Sequence, residues 1–202
     1  MEGNLFYWVA WCLWIMTTFF LNKENPIRLK LSIWLLLCII FSNRSVDMSS
    51  LQFSYSSFFI LITTYMLASK LSLKRRLFYV LTSLIVSMAY VSMLLFEIFD
   101  PVLLIISREW LIPLLLAYIV FLLYTEVEMR IICLLAGSIH GEVLYAIIIK
   151  KITSNNMVGS LAYLDVISVA SVIILAWYGI ERLAAYFNHH FQQLEEENQK
   201  TS

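Results

Sequence analysis

The chain has 202 residues, of which 61% are apolar, 15% aromatic and only 14% charged, with a mean hydropathy of +0.81. An average soluble domain is about half apolar and a quarter charged, so this composition belongs to a protein that dissolves in lipid. Lys+Arg and Asp+Glu both number 14, a balance that excludes a basic nucleic-acid binder. Seven spans of roughly 20 residues use about 140 positions, leaving loops and tails but no room for a water-soluble catalytic domain.

The first predicted span, Asn4 to Leu21, carries no charge. No Lys or Arg precedes it and no small-residue cleavage site follows, so a cleavable signal peptide is not expected. Ile27 to Ser42 is the second. Its uncharged part begins at Leu31, so Arg28 and Lys30 are expected to snorkel from one end. Leu51 to Ser69 is the third and leads into a basic turn with Lys70, Lys74, Arg75 and Arg76. Leu77 to Phe96 is the fourth and ends at Glu97 and Asp100. Pro101 to Tyr124 is the fifth, interrupted by Arg108-Glu109 and Pro113. Ile131 to Ile149 is the sixth and contains His140 and Glu142; Ser160 to Ile180 is the seventh, with Asp165 near its start. Residues 1–180 thus read as a transmembrane helical bundle. Residues 181–202 read as a cytoplasmic tail whose apolar stripe, Ile180, Leu183, Phe187, Phe191 and Leu194, follows helical spacing and turns acidic at Glu195, Glu196 and Glu197.

Helices are expected because an open strand in hydrocarbon leaves unpaired backbone groups, each costing several kcal/mol, and the alternation of a membrane barrel is missing. Short loops make sequential helices antiparallel neighbours. With the N-terminus outside, the inner segments hold Lys23, Arg28, Lys30, Lys70, Lys74, Arg75, Arg76, Arg130, Arg182 and Lys200, against Arg44, Lys150 and Lys151 outside. Were the second span not to cross, the basic residues would divide almost evenly. The positive-inside rule therefore favours an all-α, polytopic bundle of about seven spans, N-terminus outside and C-terminus inside.

Ionisable groups are costly in lipid, which makes Arg108, Glu109, His140, Glu142 and Asp165 candidate site residues. Helical rise brings them to a similar depth in the outer half of the bilayer. The resulting expectation is a polar pocket between spans five, six and seven, with Arg108 paired to Glu142 or Asp165. Two plainer readings stand beside it: the charges only neutralise one another, or Arg108-Glu109 marks a wetted break in span five. Gly137 and Gly141 form a G-x-x-x-G on span six that permits close helix approach. Hydroxyls crowd spans three (including Tyr65) and four (including Tyr90), where they either bond across helices or line a watery path.

Cys12, Cys38 and Cys133 all fall within spans, without metal-ligand spacing. His189-His190 alone make a poor metal site, and neither a metal nor a cofactor is predicted. Phe6, Tyr7, Trp8 and Trp11 at one end, and Trp177 and Tyr178 at the other, read as interfacial anchors. No phosphate-binding loop, serine-hydrolase elbow or zinc-protease motif occurs. Span seven has no Lys for a retinal Schiff base, and no span carries the periodic arginines of a voltage sensor.

The opening MEGNLFYWVAWCLWIMTTFF, the chain length and the seven-span layout together resemble the YphA family of membrane proteins from Bacillus-type bacteria. The resemblance covers the whole chain in layout and Met1 to Phe20 in wording. It implies a bacterial plasma membrane and a spore-forming host, and it brings no catalytic residue to carry over. Three functions remain in view. One is a non-enzymatic envelope protein that contacts the lipid bilayer and organises membrane or cytosolic partners through its tail, with a link to sporulation. Another is a small-solute or proton-coupled transporter using the polar pocket. The last is an intramembrane enzyme using Glu142 and His140, which is disfavoured because two residues apart on a helix they point roughly 200° apart.

Overall fold

The structure, a computed structural model, describes residues 2–48, 51–99, 107–150 and 157–201, with side chains described at all of these except 48, 51 and 189–201. Asp100 after the fourth predicted span, the predicted beginning of span five at Pro101, Lys151, and the tail side chains of His189, His190, Phe191, Leu194, Glu195, Glu196, Glu197 and Lys200 lie outside the described residues.

Among the described residues seven helices dominate: α1 (Asn4–Ile15), α2 (Pro26–Phe41), α3 (Tyr55–Ser69), α4 (Leu73–Phe99), α5 (Arg108–Leu123), α6 (Val127–Ile149) and α7 (Leu161–Thr201). A π-helical turn, Met16–Phe20, extends α1; Arg28 Nε donates to the Thr18 carbonyl of that turn at 3.1 Å. The first N–H groups of a helix have no partner within it. At α2 the Asn25 side chain accepts from the Ile27 N–H at 3.0 Å, and Pro26 occupies the position where a missing N–H costs nothing.

Consecutive helices run in opposite directions. The N-termini of α1, α3, α5 and α7 meet the C-termini of α2, α4 and α6 at one end. There Tyr7 and Ser42 share a hydroxyl bond of 2.8 Å, the Tyr55 N–H donates to the Arg44 carbonyl at 2.9 Å, and Arg108 pairs with Glu97 at 3.4 Å. At the opposite end Arg76 donates to the Ser69 carbonyl at 2.6 Å. Nearby, Arg130 donates to the Tyr124 carbonyl at 2.7 Å and reaches Glu181 of α7 at 3.8 Å.

One expectation is corrected. Residues Leu51–Ser54, assigned to a third helical span, are instead β2 of a small sheet that pairs antiparallel with β1 (Ser45–Met48) and parallel with β3 (Met157–Val158). The pairing supplies partners for backbone groups where the chain turns around at the bundle end. The fold is therefore helical with a sheet cap rather than purely α. Among the described residues of the fifth predicted span, α5 opens at Arg108 and Glu109, where an acidic first-turn residue meets the positive end of the helix dipole. Pro113 removes only the bond to the carbonyl of Glu109, still in the first turn. The helical spacing read past Ile180 continues into the tail, as α7 runs for 41 residues.

Apolar side chains fill the interior and also cover much of the outside, while hydroxyls are buried among them. Along α4 the buried positions include Thr82, Ser83, Ser87 and Tyr90, while Leu77, Val80, Leu81, Leu84 and Met88 face outward. The described helices Leu73–Phe99, Val127–Ile149 and the portion Leu161–Asn188 are long and apolar enough to cross a membrane. The most extensive helix contact joins α4 to α6, and two glycines set its closeness. A Cβ on Gly137 would lie 2.6 Å from Val86 and 2.9 Å from the Ser83 carbonyl; one on Gly141 would lie 2.7 Å from the Tyr90 ring. Replacing Gly137 with Ala should therefore destabilise the bundle by about 1–3 kcal/mol, the usual cost of overpacking. Gly179→Ala, with open space around it, should be neutral or stabilise by up to about 1 kcal/mol. Thermal unfolding in detergent measures both.

Candidate functional site

The five candidate residues occupy one half of the bundle but are held by different partners. Asp165 lies in the second turn of α7 and is buried. Its two carboxylate oxygens accept from the N–H groups of Gly3 at 2.6 Å and Phe6 at 2.7 Å. Gly3 precedes α1 with φ of 91° and offers no capping side chain, so a carboxylate 162 positions away in sequence satisfies the helix N-terminus. The expected pairing of Asp165 with Arg108 is thereby replaced.

Arg108 pairs instead with Glu97, joining the start of α5 to the end of α4, and both side chains are about one-third exposed. An exposed pair of this kind contributes at most about 1 kcal/mol. Nε of Arg108 is buried without a hydrogen bond among the described residues. The guanidinium is still close enough to Glu142 to act on it electrostatically. Glu109 is exposed on the opening turn of α5 and takes no part.

Glu142 is buried on α6. The Tyr90 hydroxyl of α4 donates to its Oε1 at 2.5 Å, and the backbone N–H of Gly159 reaches the same carboxylate. One turn earlier on the same face, Ser138 bonds the Tyr163 hydroxyl of α7 at 3.2 Å. The Tyr163 ring meets that of Tyr90 edge-on, with centroids 6.3 Å apart. Tyr90 and Tyr163 are both fully buried, so Glu142, Tyr90, Tyr163 and Ser138 form a polar seam through the contact of α4, α6 and α7.

His140 points elsewhere, as its two-residue offset from Glu142 requires. Its Nε2 lies 2.6 Å from the Tyr65 hydroxyl of α3, and it is only half buried. A concerted acid and base pair from His140 and Glu142 is incompatible with this geometry. The single pocket expected between spans five, six and seven thus resolves into three helix-to-helix links: Asp165 with α1, Glu142 with α4, and His140 with α3. What the arrangement does chemically is hold one buried carboxylate under hydroxyl and amide donors, beside an arginine.

Sequence reasoning named Tyr65 and Tyr90 only among many hydroxyls, and it missed Glu97, Tyr163 and Ser138 as partners. It also missed a latch at the other end. There Arg130 is buried, stacks 4.8 Å over the Phe121 ring and reaches Glu181, whose other oxygen accepts from the Trp177 indole at 2.6 Å. For Glu97, Arg130 and Glu181 the available signal was a charge at the edge of an apolar run, without any indication of its partner, and for Tyr163 and Ser138 there was no signal beyond a hydroxyl within a span.

Asp165→Ala should orphan two backbone N–H groups and cost roughly 1–3 kcal/mol for each. The loss is read as a lower unfolding temperature in detergent, with Asp165→Asn intermediate because one carbonyl oxygen remains to accept.

The family model of YphA-like integral membrane proteins matches residues 2–200. The chain is 29% identical over 186 residues to the Bacillus subtilis (strain 168) "Uncharacterized protein YphA", covering 92% of each chain. No solved structure matches. Apolar outward faces, three membrane-length helices among the described residues and a match over nearly the whole length agree, and the chain belongs to the YphA-like integral membrane protein family.

Proposed function

We propose that this is a non-enzymatic, multi-pass protein of the bacterial plasma membrane that organises partners through the extension of α7. In this reading all seven helices cross, with the N-terminus outside and the C-terminus inside. Alternating helix directions support it, as does the charge distribution. Lys23, Arg28, Lys30, Lys70, Lys74, Arg75, Arg76, Arg130 and Arg182 belong to the end where α1 finishes, whereas Arg44, Arg108 and Lys150 belong to the other. The shorter helices α1, α2, α3 and α5 cross by local thinning and snorkelling of flanking residues.

The observation that carries the reading is the length of α7. Its 41 residues extend about 60 Å at 1.5 Å per residue, twice the roughly 30 Å hydrocarbon thickness. The part beyond the bilayer starts with Ile180, Leu183 and Phe187, all exposed and spaced three and four apart on one helix face. A helix face of this kind inserts into a partner's groove. Sporulation is the proposed physiological setting, as the resemblance to Bacillus-type proteins implies.

The polar seam around Glu142 favours a second reading, a proton-coupled or small-solute carrier in which that carboxylate binds the cargo. The two are separated by truncating the chain after Tyr186 and, independently, by Glu142→Gln. On the first reading the truncated protein inserts at normal level but reproduces the phenotype of a deletion strain, while Glu142→Gln retains function. Full function after truncation, with proton flux into dye-loaded liposomes that Glu142→Gln abolishes, would instead establish the carrier.

A further inference from the structure

We propose that a cleft at the basic end of the bundle binds the headgroup of an anionic glycerophospholipid. The cleft has a volume of about 400 Å³ and lies between the first turns of α4, the end of α5 and the turn into α6. That is within the roughly 300–1,000 Å³ range of small-molecule sites. Lys74 and Arg75 line it from α4. Both are exposed, and neither forms an ion pair among the described residues. Their neighbour Arg76 is committed differently: its guanidinium donates to the carbonyls of Ser69 and Leu71 and closes the α3–α4 turn. Two cations are thus left over from the fold's own needs, side by side at one rim.

The wall above them is apolar. Phe78 stands one helical turn beyond Lys74 and Arg75, so it shares their face of α4. Its ring meets the Tyr124 ring edge-on at 5.5 Å, and Phe121 continues the lining one turn further along α5. The site therefore grades from charged to aromatic along the helix axes, as a lipid does from phosphate to acyl chain. Basic pockets between transmembrane helices bind anionic headgroups for this reason. Glu126 also lines the cleft, and Glu128 follows on the first turn of α6. These carboxylates oppose an acidic peptide that would bring several charges, while a single phosphodiester can settle on Lys74 and Arg75 away from them. The proposed orientation decides only which leaflet supplies the lipid.

The test uses the full chain in neutral detergent, titrated with dioleoylphosphatidylglycerol and followed by native mass spectrometry. Phosphatidylglycerol is expected to bind more tightly than phosphatidylcholine. Neutralising one cation, Lys74→Gln or Arg75→Gln, should weaken it roughly fivefold and the double variant roughly thirtyfold, at the usual worth of a surface cation. Lys30→Gln should change it less than about twofold, and Lys74→Arg should retain binding. Unchanged melting of the lipid-free double variant reports that it folds. Equal binding of the two lipids, or full binding by the folded double variant, would overturn the proposal. So would displacement of the lipid by inorganic phosphate, which indicates a free-anion site, or by hexaglutamate, which indicates a peptide site. Detergent has no leaflets, so a negative result counts against the cleft and leaves the orientation untouched.

Discussion

Hydrocarbon offers a polar group nothing to bond with, and this constraint organises the molecule. Each unsatisfied backbone or side-chain group in lipid costs several kcal/mol. The described hydroxyls and carboxylates of the middle of the bundle accordingly turn inward or back onto their own helix. Thr82, Ser83 and Ser92 donate to carbonyls three or four positions earlier. Tyr90, Tyr163 and Glu142 find each other or a neighbour across helices. The outward faces are dominated by Leu, Ile, Val, Met and Phe, with Trp and Tyr residues such as Trp8, Trp110 and Tyr118 among them. Apolar burial does not drive association between helices in lipid, so close approach and these cross-helix bonds do the work.

Helix α6 is the hub of that arrangement. Gly137 and Gly141 let it lie against α4, Glu142 fastens the same contact through Tyr90, Ser138 meets α7 through Tyr163, and His140 meets α3 through Tyr65. One helix thus answers three neighbours, with Ser138 and Glu142 on one face and His140 on another. Asp165 adds a connection of another kind, ending α1 with a carboxylate from α7. The candidate charges are distributed over helix joints. Only Glu142 lies deep enough, and among enough donors, to support a carrier reading.

Much of the architecture was legible in the residues. Long uncharged runs announced helices, the basic turn at Lys70–Arg76 marked a bundle end, and G-x-x-x-G on α6 marked a close approach. The sheet was not legible, because Leu51-Gln52-Phe53-Ser54 continues an apolar run whose helical or extended state depends on the pairing partners in β1 and β3. The partners of the charges were also hidden. Depth along a helix follows from counting residues, but the direction a side chain faces follows from how the helices turn about their axes. Hence Arg108, expected to meet Glu142 or Asp165, meets Glu97 at the end of α4.

Alternation of helix direction across a bilayer is the central claim, and cysteine accessibility tests it most directly. Single cysteines at positions 2, 44, 70 and 200, in a background lacking Cys12, Cys38 and Cys133, are labelled in intact cells with a membrane-impermeant maleimide. Seven crossings with an outer N-terminus require labelling at 2 and 44, and protection at 70 and 200 until the membrane is opened. Labelling of positions 2 and 200 from the same side would contradict it.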